Sequence, residues 1–464
     1  MALAKDRTQI SNSNPARPLS LVCGGCGCWC DDIDWDSSRP HEYRSACELG
    51  RRYFERLGTR SVGSGPPDNE SLAELANALR DARRPLLTGL HQSCLETQRL
   101  VVAIADRCQA VIDPFLSDAA RSKTLAFQQS GEISASWGEV KNRADVVIYW
   151  RCQPERAPRF RQRYGDQADG EFVQPADRTV IVVDSNPEPV RWQDDASASQ
   201  LPRSLQFVAI DQDDRITLEQ LISASQQPCP PDNHGDFRDA NPGGNQVKPV
   251  WWPIHEALSH AKYAAIVIGE LQTGADCHDP TVGVPLYQLL QRWTAAWNDQ
   301  RRCVVVPFPG AVNHCRTAQS VLTWRTGYPM SVDFSAGFPR YDAVAFHWRE
   351  LLARDEVDFV LHFSGDSVLE PANAPWAAAN QRLTQWADQK PLWEIGAQQT
   401  IPRARRFLST LTARTSATTR QRTVGRPDGI LLPISVFPSG TVNREPEITE
   451  QLWSLLNRLS VEAP

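Results

Sequence analysis

Seven short apolar runs set what this chain can fold into: Ala110-Val-Ile-Asp, Asp145-Val-Val-Ile-Tyr-Trp, Thr179-Val-Ile-Val-Val-Asp, Ala264-Ala-Ile-Val-Ile-Gly, Cys303-Val-Val-Val-Pro, Phe359-Val-Leu-His-Phe and Pro391-Leu-Trp-Glu-Ile-Gly. Most are rich in β-branched residues, and helical stretches flank most of them. One such stretch is Asn69-Glu-Ser-Leu-Ala-Glu-Leu-Ala-Asn-Ala-Leu-Arg80, where Asn69 or Ser71 is a candidate N-cap. Continuous apolar strands alternating with helices predict parallel sheets covered on both faces, so the expected fold is α/β and multidomain. At 464 residues the chain has room for two to four domains.

A second feature lies ahead of the α/β pattern. Five cysteines fall within the first fifty residues, four of them in Leu21-Val-Cys23-Gly-Gly-Cys26-Gly-Cys28-Trp-Cys30-Asp-Asp and the fifth at Cys47. Cys23, Cys26 and Cys30 form C-x2-C-x3-C, with Cys47 as a fourth candidate ligand and Cys28 as a competitor. Thiolates this close converge only if the chain wraps tightly, and the interleaved glycines permit that. Such spacing suits an iron–sulfur cluster and also suits structural zinc, because both metals favour soft thiolate ligands, with plain reduced thiols as the third reading. The remaining cysteines, Cys94, Cys108, Cys152, Cys229, Cys277, Cys303 and Cys315, show no paired spacing and read as buried structural thiols. His314-Cys315-Arg316 is a lone His–Cys neighbour pair, and Asp31-Asp32 reads as a helix cap or a solvent-facing pair.

Composition excludes several function classes. A net charge of −6 offers no basic surface for nucleic acid. Twelve cysteines in this length are too few for a disulfide scaffold, which points to a reducing, cytoplasmic setting. No run reaches bilayer-spanning length, and the first residues lack the apolar stretch of a signal peptide. Residues 1–18 read as a flexible tail and 19–60 as the cysteine module. A first α/β domain follows at 61–225, then a Pro/Gly/Asn-rich linker or exposed loop at 226–248 and a second α/β domain at 249–400. A C-terminal region, 401–464, completes the chain, with a flexible insertion expected at Thr412–Arg426.

Two further segments, Gly138-Glu-Val-Lys-Asn-Arg-Ala-Asp-Val-Val-Ile-Tyr-Trp150 and Leu322-Thr-Trp-Arg-Thr-Gly-Tyr-Pro-Met-Ser-Val-Asp-Phe-Ser-Ala-Gly-Phe-Pro-Arg-Tyr341, join the run ending Cys30-Asp31-Asp32. Together they resemble the B-type subunit of formylmethanofuran dehydrogenase, in the molybdopterin oxidoreductase superfamily. The resemblance implies a [4Fe–4S] module on Cys23, Cys26, Cys30 and Cys47, then α/β domains and a C-terminal pterin-cap region. In the family these grip a tungsten or molybdenum bis-pterin that interconverts CO2 and formate. There the metal takes a cysteine ligand, and a histidine and an arginine assist.

Counted back from the Gly-Glu-Val-Lys-Asn-Arg segment, the family's cysteine and histidine fall on Ala119 and Ala120. Its arginine falls, across one gap, on Pro309. None of these side chains can ligate a metal or carry a proton. The family's Gly-Cys-Asn-Pro becomes Arg151-Cys152-Gln153-Pro154, and its Asp-Pro-Arg becomes Asp184-Ser185-Asn186. Asp184 and the later Gly440-Thr441-Val-Asn-Arg444 then stand as remnants of the pterin cradle. These departures argue against a bound tungsten or molybdenum pterin. They imply instead a structural, non-redox B-like subunit of a formyltransferase/hydrolase complex in tetrahydromethanopterin-linked one-carbon metabolism. Its implied partners are a formyltransferase subunit, an amidohydrolase-like subunit and a further dehydrogenase-like subunit. The alternatives are a redox-active B-type subunit of the dehydrogenase and a stand-alone zinc-binding interaction module.

Overall fold

The computed structural model describes residues 19–36, 39, 42–58, 69–90, 93–192, 202–210, 213–226, 248–272, 281–299, 301–309, 316–364, 375–396, 401, 404–408, 422–434 and 448–461. In chain order the first strands are β1 (Leu19–Cys23), β2 (Cys30–Trp35), β3 (Tyr43–Arg44), β4 (Pro85–Thr88) and β5 (Val111–Asp113). Next come β6 (Val146–Trp150), β7 (Thr179–Asp184), β8 (Ser204–Ala209), β9 (Tyr263–Ile268) and β10 (Arg302–Pro307). The last are β11 (Val332–Asp333), β12 (Arg340–Tyr341), β13 (Phe359–Ser364), β14 (Leu392–Gly396), β15 (Arg405–Leu408), β16 (Arg422–Gly425) and β17 (Leu431–Ile434). All seven apolar runs contain strands, and helices separate most of them.

While β1-β2-β3 and β16-β17 form two small antiparallel sheets, the other twelve strands form two doubly wound ones. One runs β10-β9-β6-β7-β8, all parallel. Chain order therefore reverses between β6 and β9, and ligands in such sheets bind outside the strands' carboxyl ends at that reversal. The other runs β12-β11-β5-β4-β13-β14-β15. It is parallel from β5 to β15, with β11 and β12 added antiparallel at one edge, and it reverses between β4 and β13.

The two-residue period of a strand explains the layering. In the five-stranded sheet Val147, Tyr149, Val180, Val182, Ala265 and Val267 pack on the face carrying the cysteine module. Their neighbours Val146, Ile148, Trp150, Ile181, Val183 and Ile266 pack against helices Asp214–Ser225, Trp252–His260 and Val284–Asn298 on the other face.

The chain crosses between the sheets in a way the sequence division at 226–248 does not follow. β4 and β5 belong to the seven-stranded sheet, the chain leaves to build β6 through β10, and it returns for β11 to β15. Units 61–225 and 249–400 each contribute strands to both sheets. Periodicity locates strands but carries no record of which strands pair. A second correction concerns Thr412–Arg426: its end, Arg422–Gly425, is a strand paired antiparallel with β17. Residues 1–18 and 227–247 lie outside the described residues. Among the described residues no helix is long and apolar enough to cross a membrane.

At each chain reversal a glycine follows a strand where two backbones nearly touch. A Cβ on Gly269, after β9, would lie 1.9 Å from the Arg151 carbonyl oxygen. A Cβ on Gly89, after β4, would lie 2.0 Å from that of Phe363, and Gly89 also has φ +104°. Any side chain there would force the strands apart.

Candidate functional site

β1 and β2 form an antiparallel hairpin in which Cys23 faces Cys30, and the loop between them carries Cys26 and Cys28. Cys47 immediately precedes helix Glu48–Gly58. Cys23, Cys26, Cys28 and Cys30 are buried, and Cys47 is half-buried. The sulfurs are close enough to perturb one another. Burial raises the Cys23 thiol well above its usual range, and Cys26, Cys30 and Cys47 push in the same direction. Burial also raises Cys47, against which the amides of Gly50 and Leu49 at the helix start act. A Cβ on Gly50 would sit 3.2 Å from the Cys23 sulfur, so the helix backbone packs directly on the thiols.

Cys28 sits within this group, hydrogen-bonded to Cys26 and Cys30, and those bonds hold its proton in place. The same bond lowers Cys30, as do Arg159 and Arg163, against the opposing effect of burial. Among the described residues no three ligating side chains gather closely enough to hold a single metal ion. Cys23, Cys26, Cys30 and Cys47 supply the soft thiolate donors that iron–sulfur clusters take.

Asp31 and Asp32 neither cap a helix nor simply face water. They lie on β2 and pair with two arginines from the five-stranded sheet's side of the molecule. Arg159 grips Asp32 through both terminal nitrogens, at 2.8 and 2.5 Å, and Arg163 bonds both aspartates. Burial pushes the Asp32 carboxyl up, but the two guanidiniums outweigh it and hold it below its usual value. This clamp docks the cysteine module on the first sheet.

A cavity of about 450 Å³ lies beside the carboxyl ends of β9 and β10. Ile268, Gly269, Pro307 and Phe308 form its sheet side, and Ala119, Ala120, Lys123 and Thr124 come from helix Asp118–Ser130. The Ser117 hydroxyl caps that helix by accepting from the Ala120 amide at 3.3 Å. The two positions that resemblance assigned to a metal-ligating cysteine and a histidine therefore do line a cavity next to the sheet's reversal point. They present only methyl groups to it, and no Cys or His stands among its described lining residues. Pro309, buried, lies two residues beyond the end of β10.

Arg151 fills the neighbouring crevice. It follows β6 with φ +54°, and its guanidinium is buried between two aspartates. It bonds Asp184 at 3.0 Å, and it reaches Asp214 through Nε at 3.1 Å and Nη2 at 3.0 Å. Asp214 also accepts from the Trp150 indole at 3.0 Å and the Gln272 amide at 2.7 Å. Asp184 is thus consumed by an internal ion pair rather than held open for a cofactor. Gly440, Thr441, Arg444, His314, Cys229, Cys277 and Cys315 lie outside the described residues. Cys94, Cys152 and Cys303 are buried and Cys108 half-buried, consistent with structural thiols.

The two long segments behind the resemblance turn out to be framework. The first begins one residue into helix Trp137–Arg143, which Ser136 caps, and the buried Trp137 indole donates to the Pro307 carbonyl at 2.9 Å. Trp137 also packs under Arg426, which pairs with Asp428 at 2.7 Å. In the second, Ser331 bonds Asp113 at 2.6 Å, and Asp113 pairs with the wholly buried Arg121 at 3.0 Å. Sequence reasoning passed over Arg121 and Arg178, because a lone arginine inside a helix or before a strand carries no positional signal. Arg178 donates to the carbonyls of Lys141, Ala144, Gly165, Asp166, Ala168 and Val173, tying one loop cluster together.

No family model matches the sequence. Among characterised proteins, the B-type subunit of tungsten-containing formylmethanofuran dehydrogenase 2 from Methanocaldococcus jannaschii is 28% identical over 82% of this chain and 85% of its own length. Its counterpart from Methanococcus maripaludis is 27% identical over 75% of this chain and 79% of its own length. The chain is similar to the B-type subunits of formylmethanofuran dehydrogenases over most of its length. Its fold also matches a solved structure, that of the formyltransferase/hydrolase complex from Methylorubrum extorquens with methylofuran. There the TM-score is 0.62 over 86% of this chain and 98% of the other, at 17% identity, which is a likeness of fold.

Proposed function

We propose that this B-like chain is a structural, non-redox component of a formyltransferase/hydrolase-type complex in tetrahydromethanopterin-linked one-carbon metabolism. One observation carries the reading: Ala119 and Ala120 line the cavity where the related dehydrogenases would need a metal-ligating side chain and a proton carrier. A methyl group supplies neither. Arg151 supports it, since a buried guanidinium already neutralised by Asp184 and Asp214 occupies a place where a cofactor's backbone cradle would have to be. These residues do not fit a bis-pterin, and no step is routed through one.

The cysteine module is different, because its residues do fit a group. Cys23, Cys26, Cys30 and Cys47 would hold a [4Fe–4S] cluster, with Cys28 as a buried thiol donor beside it. The cluster would supply one-electron chemistry in a redox protein. Here its contribution is structural, because metal binding to a small module is folding free energy. Arg159 and Arg163 then set the module on the sheet and favour anionic sulfur at Cys30.

The partners in this reading are a formyltransferase subunit, an amidohydrolase-like subunit and a further dehydrogenase-like subunit, with the whole assembly cytoplasmic. The test is affinity purification of the tagged chain from its native cells. Formyltransferase and amidohydrolase-like partners should co-purify in fixed ratio, and deletion of this chain should abolish their assembly. A complex that assembles and turns over without it would sink the structural role. A second reading, a redox-active chain with altered ligation, is favoured by one fact: the cavity-lining Arg316 directly follows His314 and Cys315 in the sequence. Co-purifying tungsten or molybdenum that disappears in Cys315→Ala would select it.

A further inference from the structure

The cavity that lacks a ligating side chain is not an inert gap. Its volume, about 450 Å³, lies within the range of small-molecule sites. Its lining is chemically mixed. Phe127 and Trp324 both border it while leaving 52% and 63% of their surfaces exposed, so two aromatic side chains are open to a ligand at its rim. The charged residues among its described lining are Lys123, Glu132 and Arg316. Lys123 and Glu132 cancel in an ion pair of 2.8 Å. Arg316, the first residue of helix Arg316–Thr326, is exposed, and no ion pair to it stands among the described residues. Polar side chains beside it are already committed in part. Gln319 donates to the Thr124 hydroxyl at 2.8 Å, and Gln128 accepts from the Tyr341 hydroxyl at 2.8 Å.

We propose that this cavity binds a small planar organic anion, with its ring against Phe127 and Trp324 and its carboxylate or equivalent group on Arg316. A guanidinium engages a carboxylate through two parallel hydrogen bonds, which suits a planar acid better than a spherical ion. Two aromatic side chains in the lining favour an aromatic ring over a flexible chain, since stacking on Phe and Trp costs the ligand little conformational entropy. The methyl groups of Ala119 and Ala120 leave the depth that a longer side chain would fill. This inference stands independently of the proposed structural role, because it needs only the lining residues.

The experiment is isothermal titration of the purified native complex with 2-naphthoate, and with 2-naphthylmethylamine as its cationic counterpart. Saturable binding of 2-naphthoate at one site per copy of this chain is expected. Arg316→Gln should weaken it tenfold or more, the loss of a charge-assisted pair. Trp324→Ala should weaken it several-fold, and Ala119→Leu, which fills the floor, should abolish it. The amine should bind at least tenfold more weakly. Thermal melting of each variant separates lost binding from lost fold, and exposed Arg316 and Trp324 are expected to melt as the native chain does. Absence of saturable binding to the native complex, undiminished binding in folded Arg316→Gln, or equal affinity for the amine would each overturn the proposal.

Discussion

Replacement of Arg151 by methionine strips the counter-charge from a carboxylate that stays buried. Asp214 is fully buried, and it would keep only the bonds from the Trp150 indole and the Gln272 amide. Removing one member of a buried pair costs about 3–5 kcal/mol. The two surviving hydrogen bonds and the partial exposure of Asp184 place the expected loss near the lower end, about 3 kcal/mol. Arg151→Gly removes the same ion pairs but also relieves a non-glycine residue at φ +54°, a strain of about 1–2 kcal/mol. The glycine variant should therefore be the more stable of the two by about 1 kcal/mol, once its added chain entropy is counted.

The deficit should also depend on pH. Burial already raises Asp214 above its ordinary value, with Arg151 opposing, so loss of Arg151 raises it further. A carboxyl whose folded-state pKa exceeds its unfolded one favours the folded state when protonated. The penalty is thus absent below about 3.8 and grows as pH rises toward the folded-state value. Urea midpoints for Arg151→Met and the native chain should lie closest near pH 4, about the lower end of that window, and separate as pH rises. A loss under about 1 kcal/mol, a pH-independent loss, or a glycine variant less stable than the methionine one would refute this view of the crevice.

Three other outcomes follow from the same framework. Arg178→Met leaves six carbonyls without their shared donor and should destabilise the chain by at least about 3 kcal/mol in denaturant melts. Gly269→Ala and Gly89→Ala place a methyl within about 2 Å of a neighbouring carbonyl oxygen, so both should express as unstable or insoluble protein, whereas Gly138→Ala, whose Cβ would meet only the Ser136 hydroxyl at 3.8 Å, should stay soluble. His347 and His362 are buried, and burial depresses both to about 3. Each therefore contributes stability that is complete above its unfolded value near 6.5 and is lost as pH falls toward 3. His362→Gln should flatten the acid limb of stability against pH, and an unchanged limb would contradict its being held neutral.

The elements of this fold were legible because fully buried parallel strands write themselves as unbroken apolar runs: Val146–Trp150, Tyr263–Ile268 and Phe359–Ser364 are buried at every position. Their pairing was not legible. β4 and β13 lie side by side though about 270 residues apart, and nothing in either segment encodes the other. At the site, the thiol spacing revealed the cysteine module because three thiolates in eight residues constrain the backbone locally. Alignment with the family segments found Ala119 and Ala120. The clamp of Arg159 and Arg163 on Asp31 and Asp32 was invisible, since surface-type residues become a joint only when two distant elements meet. Arg151 was visible as a departure from glycine, but its ion pairs with Asp184 and Asp214 depend on where β7 and helix Asp214–Ser225 end up.

Metal content measured on the anaerobically purified complex tests the central claim most directly. Tungsten, molybdenum, iron and zinc should be counted per copy of this chain, after subtraction of metal held by the separately purified partner subunits. Neither tungsten nor molybdenum should accompany the chain, and iron near four per copy, lost in Cys23→Ser, should mark the cysteine module as a cluster site. Near-stoichiometric tungsten or molybdenum lost on mutation of this chain would contradict the account and return the protein to redox catalysis.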